Sequence, residues 1–240
     1  MEGSTKPSSY WRQIKGDSMK ISKRTLGILK NFATINQSIV ISEGNTIETI
    51  SNVKDIYAKA TVDETFDKEF AIYDLNEFLG TVSLFDLDCD FEFGEDAVIV
   101  KDGSAQQKYF YADKSIVARP PENGITLPSV EVEKTITKEN LTRLAKAASI
   151  NNASDITFTE EGIVVHDKTV PTSNKFTINQ KEDGSAKYNL SISVDKLKFI
   201  IDDYKVSICA KGLSLFSGAG GIDYYVALQP DGEYGNWRWR

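Results

Sequence analysis

From Met19 onward the spacing of apolar residues changes period several times. SKRTLGILKNFATI carries Leu26, Leu29, Phe32 and Ala33 at helical spacing, behind Ser22 placed to cap the first turn. Lys20, Lys23, Lys30 and Asn31 fall on the other side of that wheel, with Arg24 at its edge and no acid in the segment. The helix is therefore apolar on one face and positive on the other. SIVISEGNTIETI and IYAKATV then read as strands joined by tight turns. AIYDLNEFLGTVSLF returns to helical period, with Asp74 as N-cap and Leu75, Phe78, Leu79 and Val82 on one side. Strand patterns resume in FDLDCDFEF, AVIVKDG and QKYFYAD. Residues 118–129, ARPPENGITLPS, hold three of the six prolines, and Pro120-Pro121 fits neither a central strand nor a helix interior. They read as an extended connector. Residues 1–18 show no period, with Tyr10 and Trp11 as isolated aromatics, and read as a mobile tail.

Beyond the connector the pattern repeats. KENLTRLAKAASIN (138–151) lies on KRTLGILKNFATIN (23–36) at an offset of 115, and Lys138, Arg143 and Lys146 renew the basic face. Strands follow at DITFTEEGIVVHD, NKFTINQ and AKYNLSIS, then VDKLKFIIDD, whose Asp195 and Phe199 repeat Asp74 and Phe78 and predict a short helix. Each half closes on an aromatic strand, KYFYA and DYYVA, again 115 apart. The pattern predicts an α+β protein of two similar domains, each with two helices against antiparallel sheet. Their bounds are 19–117 and 132–230, with a connector at 118–131 and a C-terminal tail at 231–240.

Composition narrows the function classes. In 240 residues, 28 Lys and Arg stand against 35 Asp and Glu, a net charge of −7, so nucleic-acid contact requires a local basic patch. The two helices supply one in register. If the domains pack side by side with these helices on one surface, the cations line it continuously, which suits contact with phosphates regardless of sequence. One histidine and two cysteines argue against zinc enzymes and disulfide scaffolds. No apolar run is long enough to span a membrane, and the first 18 residues lack a secretory apolar stretch, so the expected setting is soluble and intracellular.

MKISKRTLGILKNFATIN (19–36) and FAIYDLNEFLG (70–80), with KYNLSI, AKG and YYVAL, resemble the sliding clamps of T-even-type bacteriophages over roughly residues 19–230. The resemblance implies a closed ring of three subunits, with helices lining a central hole around duplex DNA. It implies an ATP-driven clamp loader and a tethered replicative polymerase as partners, extending to late-transcription factors, in the cytoplasm of an infected bacterium. The DNA-facing set is then Lys20, Lys23, Arg24, Lys30, Lys138, Arg143 and Lys146. Subunits would join edge to edge through Lys108, Tyr109, Phe110 and Tyr111 of one copy and Lys175, Phe176, Thr177 and Ile178 of the next. A partner peptide would enter a pocket formed by Ile125, Leu127, Val226, Leu228 and Pro230. Two stretches depart from the family pattern: the residues before Met19, read as an added arm or an upstream start, and DGEYGNWRWR, read as a disordered, sticky end.

Other constellations read as structure. Asp86, Asp88, Asp90 and Glu92 alternate, but a calcium loop starting at Asp86 would need Gly at 91 and Glu at 97, where Phe91 and Ala97 stand. Period two instead puts Leu87, Cys89, Phe91 and Phe93 inward and the carboxylates outward. His166-Asp167 has no nucleophile motif around it and reads as a strand end. SGAGG (217–221) lacks the GK[ST] of a phosphate loop and reads as a hairpin, Cys89 and Cys209 read as core, and no ATP or other cofactor motif is visible. The expectation is a protein without catalysis or cofactor. The alternatives are an acidic, β-rich virion component and an enzyme using a divalent metal on the acidic strand.

Overall fold

The computed structural model describes residues 18–181, 186–235 and 237–238. The first repeat runs β1 (Ser18–Met19), α1 (Lys23–Phe32), β2 (Ile39–Ile41), β3 (Gly44–Ile50), β4 (Ile56–Phe66), β5 (Phe70–Ile72), α2 (Leu75–Val82), β6 (Asp90–Phe93), β7 (Ala97–Asp102) and β8 (Ala105–Phe110). The second runs β9 (Val132–Ile136), α3 (Lys138–Asn151), β10 (Asp155–Thr159), β11 (Gly162–His166), β12 (Phe176–Asn179), β13 (Tyr188–Ser193), β14 (Tyr204–Cys209), β15 (Leu213–Gly218) and β16 (Ile222–Ala227). Two short strands follow, β17 (Glu233–Tyr234) and β18 (Trp237–Arg238).

Local chemistry starts each helix. The Ser22 hydroxyl accepts the Thr25 N–H at α1, Asp74 accepts from Asn76 and Glu77 at α2, and Thr137, 115 residues after Ser22, accepts from Asn140 at α3. Glu64 of β4 seats α1 on the sheet, its buried carboxylate accepting from the Ser22 N–H and the Thr25 hydroxyl. Burial pushes that carboxyl's pKa up, and the two hydrogen bonds more than offset it, leaving it lowered. In α1, Ile28, Leu29 and Phe32 are buried while Leu26 and Ala33 sit half-buried at the flank, a small rotation of the expected face. In α3, Leu141, Leu144, Ala147 and Ala148 are buried, and Asn152 ends the helix at φ 48, a left-handed position that asparagine tolerates.

The second repeat departs from the first where a fourth helix was expected. VDKLKFIIDD forms only a 3-10 turn, Val194–Lys196, with no side-chain cap. β-Branched Val194, Ile200 and Ile201 favour the helix little. Phe199 instead enters an aromatic cluster, its ring centroid 5.7 Å from Tyr204, 4.6 Å from Phe216 and 4.7 Å from Tyr224. The backbone there finds tertiary partners: the Ile200 N–H donates to the Tyr224 hydroxyl, and the Tyr204 hydroxyl donates to the Ile200 carbonyl. The Asp195 counterpart of the α2 cap lies inside the turn.

Strand order among the described residues is β1-β6-β7-β8, β2-β5, β12-β11-β10-β13-β17-β18 and β3-β4-β16-β15-β14-β9. The last sheet crosses the repeat boundary, with β4 antiparallel to β16 from Ile56↔Val226 to Ala60↔Ile222. Two corrections concern the chain's edges. The acidic strand starts only at Asp90: Cys89 and Phe91 point inward as expected, but Leu87 is 59% exposed because Asp86–Cys89 is a turn, closed by the Cys89 N–H on the Asp86 carbonyl at 3.0 Å. The C-terminal stretch, expected to be disordered, adds a hairpin. β17 pairs with β13 and β18 folds back on β17, with Gly235 at φ 57 opening the reversal. The Gly-Asn pair between Tyr234 and Trp237 is the hairpin signal. The expected N-terminal tail lies outside the described residues except for Ser18, which pairs with Glu92 in β1.

The start of the connector is tied down by ions. Arg119 grips Glu69 with two hydrogen bonds of 2.8 and 2.9 Å, and Lys114 joins at 3.0 Å. The Arg119 hydrogen bonds first, then that from Lys114, hold the Glu69 carboxyl down to about 2. A folded pKa below the unfolded one stabilises at pH above the ordinary glutamate value of 4.5 and is lost as pH falls towards about 2. In acid titration of stability, Glu69→Gln is therefore expected to flatten the curve across that interval. An unchanged slope would rule out the triad as a contributor.

Candidate nucleic-acid interface

The seven basic residues of the expected lining are all exposed, but they divide by what they touch. Among the described residues Lys23, Lys30, Lys138 and Lys146 carry no ion pair. Lys20 is 2.6 Å from Asp88. Arg143 lies over the Phe176 ring at 5.4 Å, joining α3 to β12. Arg24 is a junction residue: its guanidinium donates to the Thr61 carbonyl of β4 at 2.8 Å and to the Gly220 carbonyl between β15 and β16. Asn31, expected on the solvent side, also faces the second repeat. Its amide donates to the Lys198 carbonyl at 3.0 Å and its oxygen accepts from the Tyr224 hydroxyl at 2.7 Å. No local signal marks either residue for this, because their partners in the second repeat, Gly220, Lys198 and Tyr224, lie 167 or more positions away.

These contacts bring the first turns of α1 and α3 to one corner. The Gly220 N–H donates to Asp202 at 2.9 Å, and neighbouring Asp203 accepts the Lys138 N–H at the start of α3. Gly221 adopts φ 74, and a Cβ on Gly220 would stand 3.0 Å from the Asp202 carboxylate, so the glycines of SGAGG let this turn pack between the repeats. The motif is a hairpin, as expected. Lys23 and Lys138 open the two helices at the corner it builds.

The expected peptide pocket is only partly exposed. Ile125, Leu127 and Pro230 retain accessible surface, whereas Val226 is fully buried and Leu228 is 8% exposed. Strand alternation explains Val226: with Ile222 and Tyr224 it faces the interior of the sheet. The opposite face carries Tyr57 and Tyr225, rings 5.4 Å apart across the β4–β16 pairing, and the connector crosses them where Gly124 approaches the Tyr57 hydroxyl. Those tyrosines stood in the sequence as strand aromatics. Only the pairing of two distant strands brings them together, Tyr57 buried and Tyr225 half-buried.

The two expected edges are edges. β8 and β12 each end a sheet and pair on one side only among the described residues. Phe110 is 63% exposed, with the Lys108 ammonium 4.4 Å from its ring centroid. Tyr109 and Tyr111 turn inward, Tyr109 to the Asp74 carbonyl and Tyr111 against Phe70, and Ile178 is core. Tyr109 and Tyr111 are thus half-buried and Ile178 buried, so these three offer a neighbour mainly their backbone. His166 ends β11 with Nε2 2.9 Å from the Thr157 hydroxyl; burial first, then Lys175, lowers its pKa. Cys89 and Cys209 are free and buried. Among the described residues no three His, Cys, Asp or Glu side chains converge as a metal site requires, and no helix is long and apolar enough to cross a membrane.

Two pseudo-repeated α+β units sharing a sheet across their boundary define the DNA-clamp fold. The proliferating cellular nuclear antigen of Entamoeba histolytica matches it with a TM-score of 0.67 at 13% identity, over 88% of this chain and 97% of that one. The Helicobacter pylori beta clamp, solved with a DNA ligase peptide, matches with a TM-score of 0.68 at 11% identity, over 93% of this chain and 68% of that one. In sequence, a family model described as DNA polymerase processivity factor matches residues 20–91. The sliding clamp of Vibrio phage KVP40 is 33% identical over 222 residues, 88% of this chain and 99% of its own. That of Enterobacteria phage T4 is 33% identical over 227 residues, 89% and 98% of the two chains. The chain belongs to the family of phage sliding clamps, the DNA polymerase processivity factors.

Proposed function

We propose that three copies close into a ring around duplex DNA and tether the replicative polymerase in the cytoplasm of an infected bacterium. An ATP-driven loader opens the ring, and late-transcription factors use the same platform. The observation that carries the reading is the internal junction. β16 is the repeat of β8, and β12 stands to β11 as β4 stands to β3. Within the chain β4 pairs with β16, while among the described residues their counterparts β12 and β8 each end a sheet. Pairing β8 of one copy with β12 of the next repeats the internal junction in trans and removes both edges.

Lys23, Lys30, Lys138 and Lys146 then supply point charges that hold phosphates without reading bases. Topology retains the ring while weak contacts let it slide, so the chain does its work without catalysis. Tethering raises the polymerase's effective concentration at the primer end. Ile125 and Leu127, on the connector that crosses the Tyr57–Tyr225 pair, form the platform for a partner peptide.

Light scattering across a concentration series is expected to give roughly 80 kDa, three times the 26.7 kDa chain. Phe110→Asp is expected to lower that mass towards the monomer without changing far-ultraviolet circular dichroism. A wild-type monomer at all concentrations would refute the ring. Stimulation of the polymerase on primed circular DNA tests the tether separately.

A further inference from the structure

Between α1 and α2 runs an apolar groove of about 440 Å³, floored by Leu26, Leu79, Val82 and Phe85 and ending at Leu87. Its width has a sequence cause. Gly27 and Gly80 stand on its two helices, and a Cβ at either would meet nothing within 4 Å. Leu84, between two lining residues, is 69% exposed and Leu87 is 59% exposed, so the groove and its rim form an apolar patch beside charged helix faces. Lys30 is the one proposed DNA contact on its lining, and none of the residues proposed for the partner peptide line it.

We propose that this groove is the docking site of the chain's own first 17 residues, with the Trp11 ring seated between the helices. Three observations select this occupant. The chain enters the fold beside the groove: Met19 and Lys20 share a second hollow with Leu87 and Asp88, and Lys20 is held to Asp88 at 2.6 Å. Trp11 precedes Ser18 by seven residues, a reach of about 23 Å when extended. The segment MEGSTKPSSYWRQIKGD concentrates its large apolar groups at Tyr10, Trp11 and Ile14, and flanks them with Lys6, Arg12 and Lys15. Those cations complement exposed Asp86 at the groove's end, whereas Asp88 beside it is already paired with Lys20. Being covalently attached, the segment competes for the groove at high effective concentration.

The test uses the full chain with Trp237→Phe and Trp239→Phe, which leaves Trp11 as its one tryptophan. Blue-shifted emission and several-fold protection from acrylamide are expected, both lost when Gly80→Leu fills the groove. Emission and quenching equal to those of the free 17-residue peptide would overturn the proposal. An independent arm oxidises the Trp11→Cys, Ser83→Cys chain. A disulfide within one chain supports the docking, whereas a disulfide joining two chains, or none, overturns it.

Discussion

Reversing Lys23, Lys30 and Lys146 to Glu together is expected to cut processive synthesis on primed circular DNA by about tenfold or more while leaving the fold and the subunit assembly intact. All three side chains are exposed and none makes an ion pair among the described residues, so their reversal breaks no internal ion pair. Each phosphate contact contributes about one unit to the slope of log affinity against log salt. The wild-type slope for linear duplex should therefore fall by roughly three in the variant. Adding Glu where Lys23 already shares a hollow with Asp63 deepens the effect through repulsion. Arg24 is left out because its guanidinium bonds the two repeats together, and its loss would confuse DNA contact with junction geometry. Full polymerase stimulation by the triple variant would refute the basic lining.

Phe199→Ala is expected to be the most destabilising of the single changes considered, by about 3 to 5 kcal/mol, from lost burial and the cavity left behind. The ring is 7% exposed and packs within three aromatic side chains. Tyr224, one of the three, also donates to Asn31 of α1, so the damage should reach the junction between the repeats. Urea unfolding would measure the loss. Amide exchange at β4 and β16 should rise with it. A change below about 1 kcal/mol would mean that the segment after the 3-10 turn detaches without consequence, contrary to its observed packing.

How much of this was legible beforehand depended on range. The three helices were readable because capping and amphipathic period act within a few residues: Ser22, Asp74 and Thr137 each hold an N–H two or three positions on. The duplication was readable because KRTLGILKNFATIN and KENLTRLAKAASIN share their first Lys, two Leu and the closing Ile-Asn at one offset. The candidate edge strands were readable too, as the aromatic and polar runs later found at β8 and β12. The C-terminal hairpin had a local signal, the Gly-Asn pair of the sequence, which the surrounding Trp and Arg residues obscured.

The failures share one cause. VDKLKFIIDD matches α2 in its Asp and Phe, but aromatic neighbours contributed by β14, β15 and β16 drew Phe199 out of helical register. Arg24 and Asn31 carry the composition of a solvent face, yet bond to Gly220, Lys198 and Tyr224. Val226 reads as a pocket wall, yet strand alternation in the shared sheet turns it inward. The chain's composition and periodicity established two basic, amphipathic helices on duplicated α+β units, because those properties are set by neighbours along the chain. The β4–β16 pairing, the burial that follows from it and the edges it leaves open required strands some 160 residues apart to meet, and local pattern does not encode a contact of that span.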